Sequence, residues 1–181
     1  MNVIETSLPG VVIIEPKIFG DERGFFLETF QEHRYRDEAG IDLTFVQDNH
    51  SRSGYGVLRG LHLQKTKPQG KLVQVIRGEV FDVAVDINPN SSTFGKYEAV
   101  ILNEDNKRQF YVPPGYAHGF VVLSEMADFV YKCTDLYDPS DEGGVIWNDP
   151  DVNIDWPVSN PKLSDKDLIL PNLKSLSKLS S

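Results

Sequence analysis

The chain reads as an all-β jelly roll with short flanking helices. Three observations predict this. Most of the 181 residues fall into short runs of strand composition. Clusters of Gly, Pro, Asn and Asp separate those runs, and only two stretches carry helix chemistry. Many short strands at this spacing build a sandwich or a barrel, and adjacent strand pairs with long returns favour a jelly roll. No linker or internal repeat divides the sequence, so residues 1–181 are read as one domain, with a loosely held tail over about 172–181. A chain of this size has room for a core, because at ~150 residues folding buries roughly two-thirds of the unfolded surface.

The elements follow in order. Val11-Val12-Ile13-Ile14 is a β-branched run ended by Glu15-Pro16 and reads as a strand. Residues 19–24 carry turn chemistry, and residues 25–30 form a second strand. Residues 31–39 are charged, lack strand alternation and are closed by Gly40, which predicts a helix. Strands are then expected over 43–48, 57–64, 71–76, 80–87, 97–102, 108–112, 119–123, 128–134 and 145–147, with a tight turn at Arg77-Gly78-Glu79. Ser164 is a candidate helix cap before Asp165-Lys166-Asp167, and Pro171 cuts that helix short.

Composition narrows the function classes. Hydrophobic residues make up 40% and charged residues 25%, as in an ordinary globular protein. A net charge of -9 argues against nucleic acid, since phosphate backbones select basic surfaces. No stretch approaches the ~20 apolar residues that span a bilayer. The opening residues lack the basic-then-apolar order of a signal peptide. Cys133 is the single cysteine, so no intrachain disulfide forms, a reducing cytoplasm fits best, and Cys133 reads as a small core residue.

Against this acidic background one segment is free of carboxylates. From His50 to Gly78 there is no Asp or Glu, while Arg52, Arg59, Lys65, Lys67, Lys71 and Arg77 are basic. Such a segment holds a positive field suited to an anionic ligand. His62 lies inside it on an expected strand, alternating with Leu61 and Leu63 and sharing a face with Gly60 and Gln64. A histidine among cations has its charged form disfavoured and can accept a proton. The competing reading is a solvated strand with ordinary surface lysines.

Other residues carry chemistry more ambiguously. His33 falls in the charged helix and reads as solvated, and His50 reads equally well as structural. His118 ends Pro114-Gly115-Tyr116-Ala117-His118, within the Pro-x-Gly-x-x-His pattern of the second cupin motif. The first cupin motif needs His-x-His, and here the place reads His62-Leu63-Gln64, with Glu79 the only downstream acid at a sensible spacing. The cations nearby repel a metal ion, so no metal is expected. Arg23, beside Phe25 and Phe26, is the residue type for a bidentate phosphate grip. Gln47 and Asn49 have the amides to read hydroxyls or a base edge. Tyr131 and Tyr137 read as core tyrosines or, for one facing a reacting carbon, as a general acid.

Taken together, residues 19–26, 46–51, 57–62, 69–73, 78–86 and 114–120 occur in the order seen in dTDP-4-dehydrorhamnose 3,5-epimerases, which the chain resembles from Val11 to Asp167. The resemblance implies a cupin-type jelly roll that works as a homodimer without a cofactor. It implies inversion of C3 and C5 of dTDP-4-dehydro-6-deoxy-D-glucose in dTDP-rhamnose biosynthesis. By the same resemblance His62 is the base, Tyr131 the acid, Lys71 a group near the keto oxygen, and Asp167 the partner of the base, with Asp165 as the alternative. Arg23, Phe26, Glu28, Gln47, Asn49, Arg59, His118, Tyr137 and Glu142 correspond to substrate-binding positions, Tyr137 as the thymine-stacking residue. The sequence departs from the family at Leu63, where an aromatic residue is common, and in its compact 64–69 loop. Alternatives are a C3-only or C5-only epimerase on a related nucleotide ketosugar, a metal-dependent cupin, and a nucleotide-sugar binding module.

Overall fold

The computed structural model describes residues 1–177. Two antiparallel sheets face each other. One runs β1 (Asn2–Glu5), β2 (Val12–Glu15), β10 (Gln109–Val112), β7 (Lys71–Arg77), β12 (Met126–Cys133), β5 (Gln47–Gly54). The other runs β13 (Glu142–Gly144), β6 (Leu58–Gln64), β11 (Tyr116–Val122), β8 (Glu79–Asp86), β9 (Tyr97–Asn103). A separate two-stranded ribbon pairs β3 (Ile18–Asp21) with β4 (Gly24–Leu27). Three helices flank these: α1 (Glu32–Ala39), α2 (Asp165–Leu168) and α3 (Leu173–Ser177). The fold is the all-β, cupin-type jelly roll expected.

Strand alternation explains the core. Val73, Val75, Phe110 and Phe129 from one sheet meet Val80, Ala84, Leu102, Phe120 and Val122 from the other. Each such side chain contributes about 1.5–3 kcal/mol by leaving water. The outer faces are also covered. Leu61, Val83, Val85 and Ala117 pack under Val145, Val152 and Leu173. Val12, Ile14, Leu72 and Tyr111 pack under Tyr35 and Ile41. Helix α1 begins where the Gln31 side chain accepts the Arg34 N–H and ends at Gly40, whose φ of +68° closes the last turn.

Several boundaries differ from expectation, each for a physical reason. β5 occupies Gln47–Gly54 rather than 43–48, and Leu43 and Val46 are exposed. Its residues alternate in burial but are nearly all polar, so the hydrophobic period is absent. β3 occupies part of the expected turn at 19–24, and β1 was not anticipated from its polar ends. The turn at Gly78 does not make a hairpin. It passes the chain from β7 in one sheet to β8 in the other, and a Cβ at Gly78 would meet the Met126 carbonyl at 2.0 Å. The expected strand at 145–147 shifts to Glu142–Gly144, although Val145 still exchanges backbone hydrogen bonds with Leu61 at 3.0 and 3.2 Å. The expected loose tail is held at its start: Leu173 is 2% exposed and its N–H donates to Asp149 Oδ2 at 2.7 Å. Residues 178–181 of that tail lie outside the described residues. Among the described residues no helix is long and apolar enough to cross a membrane.

Candidate active site

Glycines on two neighbouring strands set the site. β6 and β11 pair His62 with His118, but two residues further along Phe120 pairs with Arg59, so β6 carries one extra residue between those pairs. A β-bulge of this kind re-aims side chains. Simple alternation puts Arg59 and His62 on opposite faces, yet both line the same cavity. Gly60 sits at the bulge with φ +131°, and a Cβ there would lie 2.7 Å from the Gly119 Cα. A Cβ on Gly119 would meet the Arg59 carbonyl oxygen at 2.6 Å. Only glycines let the two backbones approach so closely.

The cavity, of about 360 Å³, opens between the sheets. That is within the range of small-ligand sites. Arg59, His62 and His118 come from the five-stranded sheet, while Gln47, Asn49, Lys71 and Tyr131 come from the six-stranded sheet. His62 and Tyr131 therefore line it from opposite walls. Tyr137 and Glu142 complete the rim.

His62 Nε2 lies 2.7 Å from Asp167 Oδ1. Asp167 is reached through α2, whose cap Ser164 accepts the Asp167 N–H as the sequence predicts. Asp165 is exposed and makes no such contact, so Asp167 is the partner. Burial alone would raise the Asp167 carboxyl, but hydrogen bonds and charge from His62 outweigh it and hold it below the usual carboxylate range. An ionised Asp167 can only accept, so His62 Nε2 is the donor of this bond and Nδ1 is the ring nitrogen left outside it. His62 is therefore oriented by the carboxylate that the family resemblance assigned to it, in addition to lying among the cations of its segment.

The positive field is narrower than the acid-free segment suggested. Arg52 is spent on Asp128, with bonds of 2.7 and 2.8 Å, and His50 joins the same carboxylate at 3.1 Å. Lys67 lies in a loop whose backbone is pinned by Asp141. Arg59 and Lys71 remain in the cavity, joined by Lys166, which sequence reasoning missed. Lys166 pairs with Glu142 at 2.8 Å across the rim. It had been read only as helix-start composition. Among the described residues the Lys71 ammonium has no hydrogen bond or ion pair, and burial lowers its pKa. Burial raises the Tyr131 phenol. Cys133, buried as expected, also lines the cavity and accepts from Asn49 Nδ2 at 3.6 Å. Tyr137 donates its N–H to Gln47 Oε1 at 2.9 Å and its hydroxyl to Glu142 at 3.2 Å. Gln64 and Gln69, also unforeseen, donate to the backbone carbonyls of Leu136 and Asp135 and so hold the Tyr137 loop.

Three expected residues are not brought to this cavity. Arg23 and Phe26 sit on the β3–β4 ribbon, which belongs to neither sheet; Arg23 pairs with Asp21, and Phe26 is 68% exposed. Glu28, just beyond the ribbon, pairs with Arg34 at 2.9 Å. Glu79 is also elsewhere, bonded to Asn103 at 2.8 Å. Among the described residues no group of three or more His, Cys, Asp or Glu is placed to hold a metal ion, so the donor set does not fit the cupin metal site.

A jelly roll whose cavity holds a carboxylate-bound imidazole, a tyrosine on the facing wall and a buried lysine has the composition of an isomerase site. Comparison with known proteins makes the assignment specific. The chain belongs to the dTDP-4-dehydrorhamnose 3,5-epimerase family, whose family model matches residues 5–175. It is 56% identical over 169 residues to the dTDP-4-dehydrorhamnose 3,5-epimerase of Shigella flexneri, covering 93% of each chain. Its fold matches the crystal structure of a dTDP-6-deoxy-D-glucose-3,5-epimerase from Legionella pneumophila in complex with dTDP-4-keto-L-rhamnose, with TM-score 0.93, 57% identity and coverage of 96% and 93% of the two chains. It also matches a 3'-monoepimerase from Streptomyces bikiniensis in complex with dTDP-quinovose, with TM-score 0.90, 35% identity and coverage of 97% and 89%.

Proposed function

We propose that this chain inverts C3 and C5 of dTDP-4-dehydro-6-deoxy-D-glucose to give dTDP-4-dehydro-L-rhamnose, with His62 as base and Tyr131 as acid. The observation that carries the reading is the bond from His62 Nε2 to Asp167, which leaves Nδ1 free to accept a proton. The C4 ketone acidifies the neighbouring C–H bonds. His62 Nδ1 takes the proton, the C–H electron pair moves into the ring, and the C4 oxygen becomes an enolate. Lys71 stabilises that charge; a preorganised donor of this kind contributes roughly 3–4 kcal/mol. The Tyr131 hydroxyl then returns a proton from the opposite wall and inverts the centre. Solvent exchange resets both side chains. No step needs an oxidant or a metal.

Arg59 and Lys166 suit the diphosphate, Tyr137 suits stacking on thymine, and Gln47, Asn49, His118 and Glu142 suit polar contacts along the ligand. Arg23, Phe26 and Glu28 enter through a homodimer, in which the exposed ribbon of one protomer reaches the other's site. What supports this is the exposure of Phe19, Phe25 and Phe26, at 53%, 61% and 68%, beside an arginine.

Incubation of the substrate in D2O, followed by NMR, tests the proposal. Deuterium is expected at both C3 and C5. His62→Asn removes it, with a loss of about 10²–10⁴-fold, whereas Tyr131→Phe keeps exchange but yields no inverted product. Exchange at neither carbon refutes the reading. Exchange at C3 alone moves the chain to the monoepimerases, a reading the Streptomyces bikiniensis relative keeps open.

A further inference from the structure

Two histidines, paired across adjacent strands, line the cavity, and each has Nε2 bonded to a different aspartate. His62 meets Asp167 at 2.7 Å and His118 meets Asp82 at 2.8 Å. The surroundings of the two carboxyls are opposite. Asp167 also receives bonds from Ser164 and from the Gly60 backbone. Asp82 is fully enclosed on β8, and its second oxygen, Oδ2, has no hydrogen-bond partner among the described residues.

An ionised carboxylate spreads its charge over both oxygens, so a dry oxygen without a donor is costly. A carboxylic acid removes that cost: its hydroxyl is used at Oδ1, and the unpartnered Oδ2 is an uncharged carbonyl oxygen. We propose that Asp82 keeps its proton and donates it to His118 Nε2, so that His118 presents Nδ1–H to the cavity as a donor to a ligand oxygen. His62 presents the reverse, a bare Nδ1. Asp82 is thus a positioning residue that acts through His118. Its effect is to reserve proton abstraction for His62 alone, although both rings lie against the same ligand. His118 recognises an acceptor such as a ketone, enolate or phosphoryl oxygen.

Burial acts in the same sense and raises the Asp82 pKa; the charge of His118 and of Lys71 opposes it, and burial in turn weakens the Lys71 charge. Titratable pairs whose surroundings push them apart divide acid and base roles in this way. The proposal rests on the epimerase reading only for the identity of the ligand oxygen.

The test is the ligand-free full chain labelled with ¹⁵N-histidine. Long-range ¹H–¹⁵N correlation at neutral pH distinguishes protonated from bare ring nitrogens, with the four histidines assigned through His118→Gln and His62→Gln. A protonated Nδ1 on His118 beside a bare Nδ1 on His62 is expected. A bare Nδ1 on His118 overturns the proposal. Asp82→Leu should remove the Nδ1–H signature and lower kcat about tenfold or more with little change in KM, while Asp82→Asn, whose amide can donate to Nε2, should retain more of both. If Asp82→Leu fails to fold, the wild-type spectrum decides alone. Because no substrate is present, this result stands or falls separately from the deuterium exchange at C3 and C5.

Discussion

Replacing Asp167 by asparagine tests how His62, the proposed base, is held. The perturbation is small in shape: the backbone N–H of residue 167 still bonds the Ser164 carbonyl at 3.0 Å, so α2 persists. What is lost is the charge at 2.7 Å from His62 Nε2. A hydrogen bond to a charged group contributes about 1.5–3 kcal/mol net, and at ~1.36 kcal/mol per decade its loss corresponds to roughly 10–150-fold in rate. The His62 side chain is 25% exposed, so water replaces part of the lost interaction. The expectation is therefore a fall in kcat of roughly 10–50-fold, with KM within about threefold. The assay is product formation alongside NMR-detected deuterium uptake, with thermal unfolding to confirm the fold. The effect of pH follows from the depressed Asp167 pKa. Its contribution to stability is complete above the ordinary value of ~3.9 and is lost as pH falls through the lower folded value. Wild type and Asp167→Asn should thus differ in stability at neutral pH, begin to converge as pH falls below about 4 and meet below the lower folded value. An unchanged kcat in a folded variant would refute the claim that this carboxylate supports the base.

Two other expectations follow from the geometry. Gly119→Ala drives a methyl against the Arg59 carbonyl, 2.6 Å away, and should cost about 1–3 kcal/mol, read as a fall in Tm of roughly 2–12 °C; a Tm unchanged would mean the bulge accommodates a side chain. The Asp128 carboxyl is pulled to about 2, first by the Arg52 hydrogen bond, so its stabilisation is present above ~4 and fades as pH drops through 2; Asp128→Asn should flatten the acid limb of the stability curve there, and an unchanged limb would assign acid sensitivity elsewhere.

The sandwich was legible because its core strands obey a two-residue period: Val73, Val75, Val80 and Ala84 announce themselves by type and spacing. β5 was not, because both faces of that strand are polar, one towards the cavity and one towards solvent. His62 stood out by its acid-free segment and Tyr131 and Lys71 by the family resemblance, and all three line the cavity. That Arg59 shares the His62 face was not, since alternation assigns it to the other side and only a bulge at Gly60 reverses this. Lys166 was hidden for a different cause. It lies 24 positions from Glu142, its ion-pair partner on the rim, and no local pattern marks a contact of that range. The ribbon carrying Arg23 and Phe26 was legible by composition but not by location, because nothing local says which sheet, if any, a two-stranded ribbon joins.

The 105 positions between His62 and Asp167 bear on how competence is acquired. A ribosome delivers every strand of both sheets, through Gly144, before it reaches α2. Assembly that proceeds from the N-terminus therefore surrounds an unanchored imidazole with finished architecture. A molecule clipped between Gly144 and Ser164 keeps all its strand residues yet forfeits the anchor. For such damage, specific activity is the sensitive gauge and a strand-dominated circular dichroism spectrum the insensitive one.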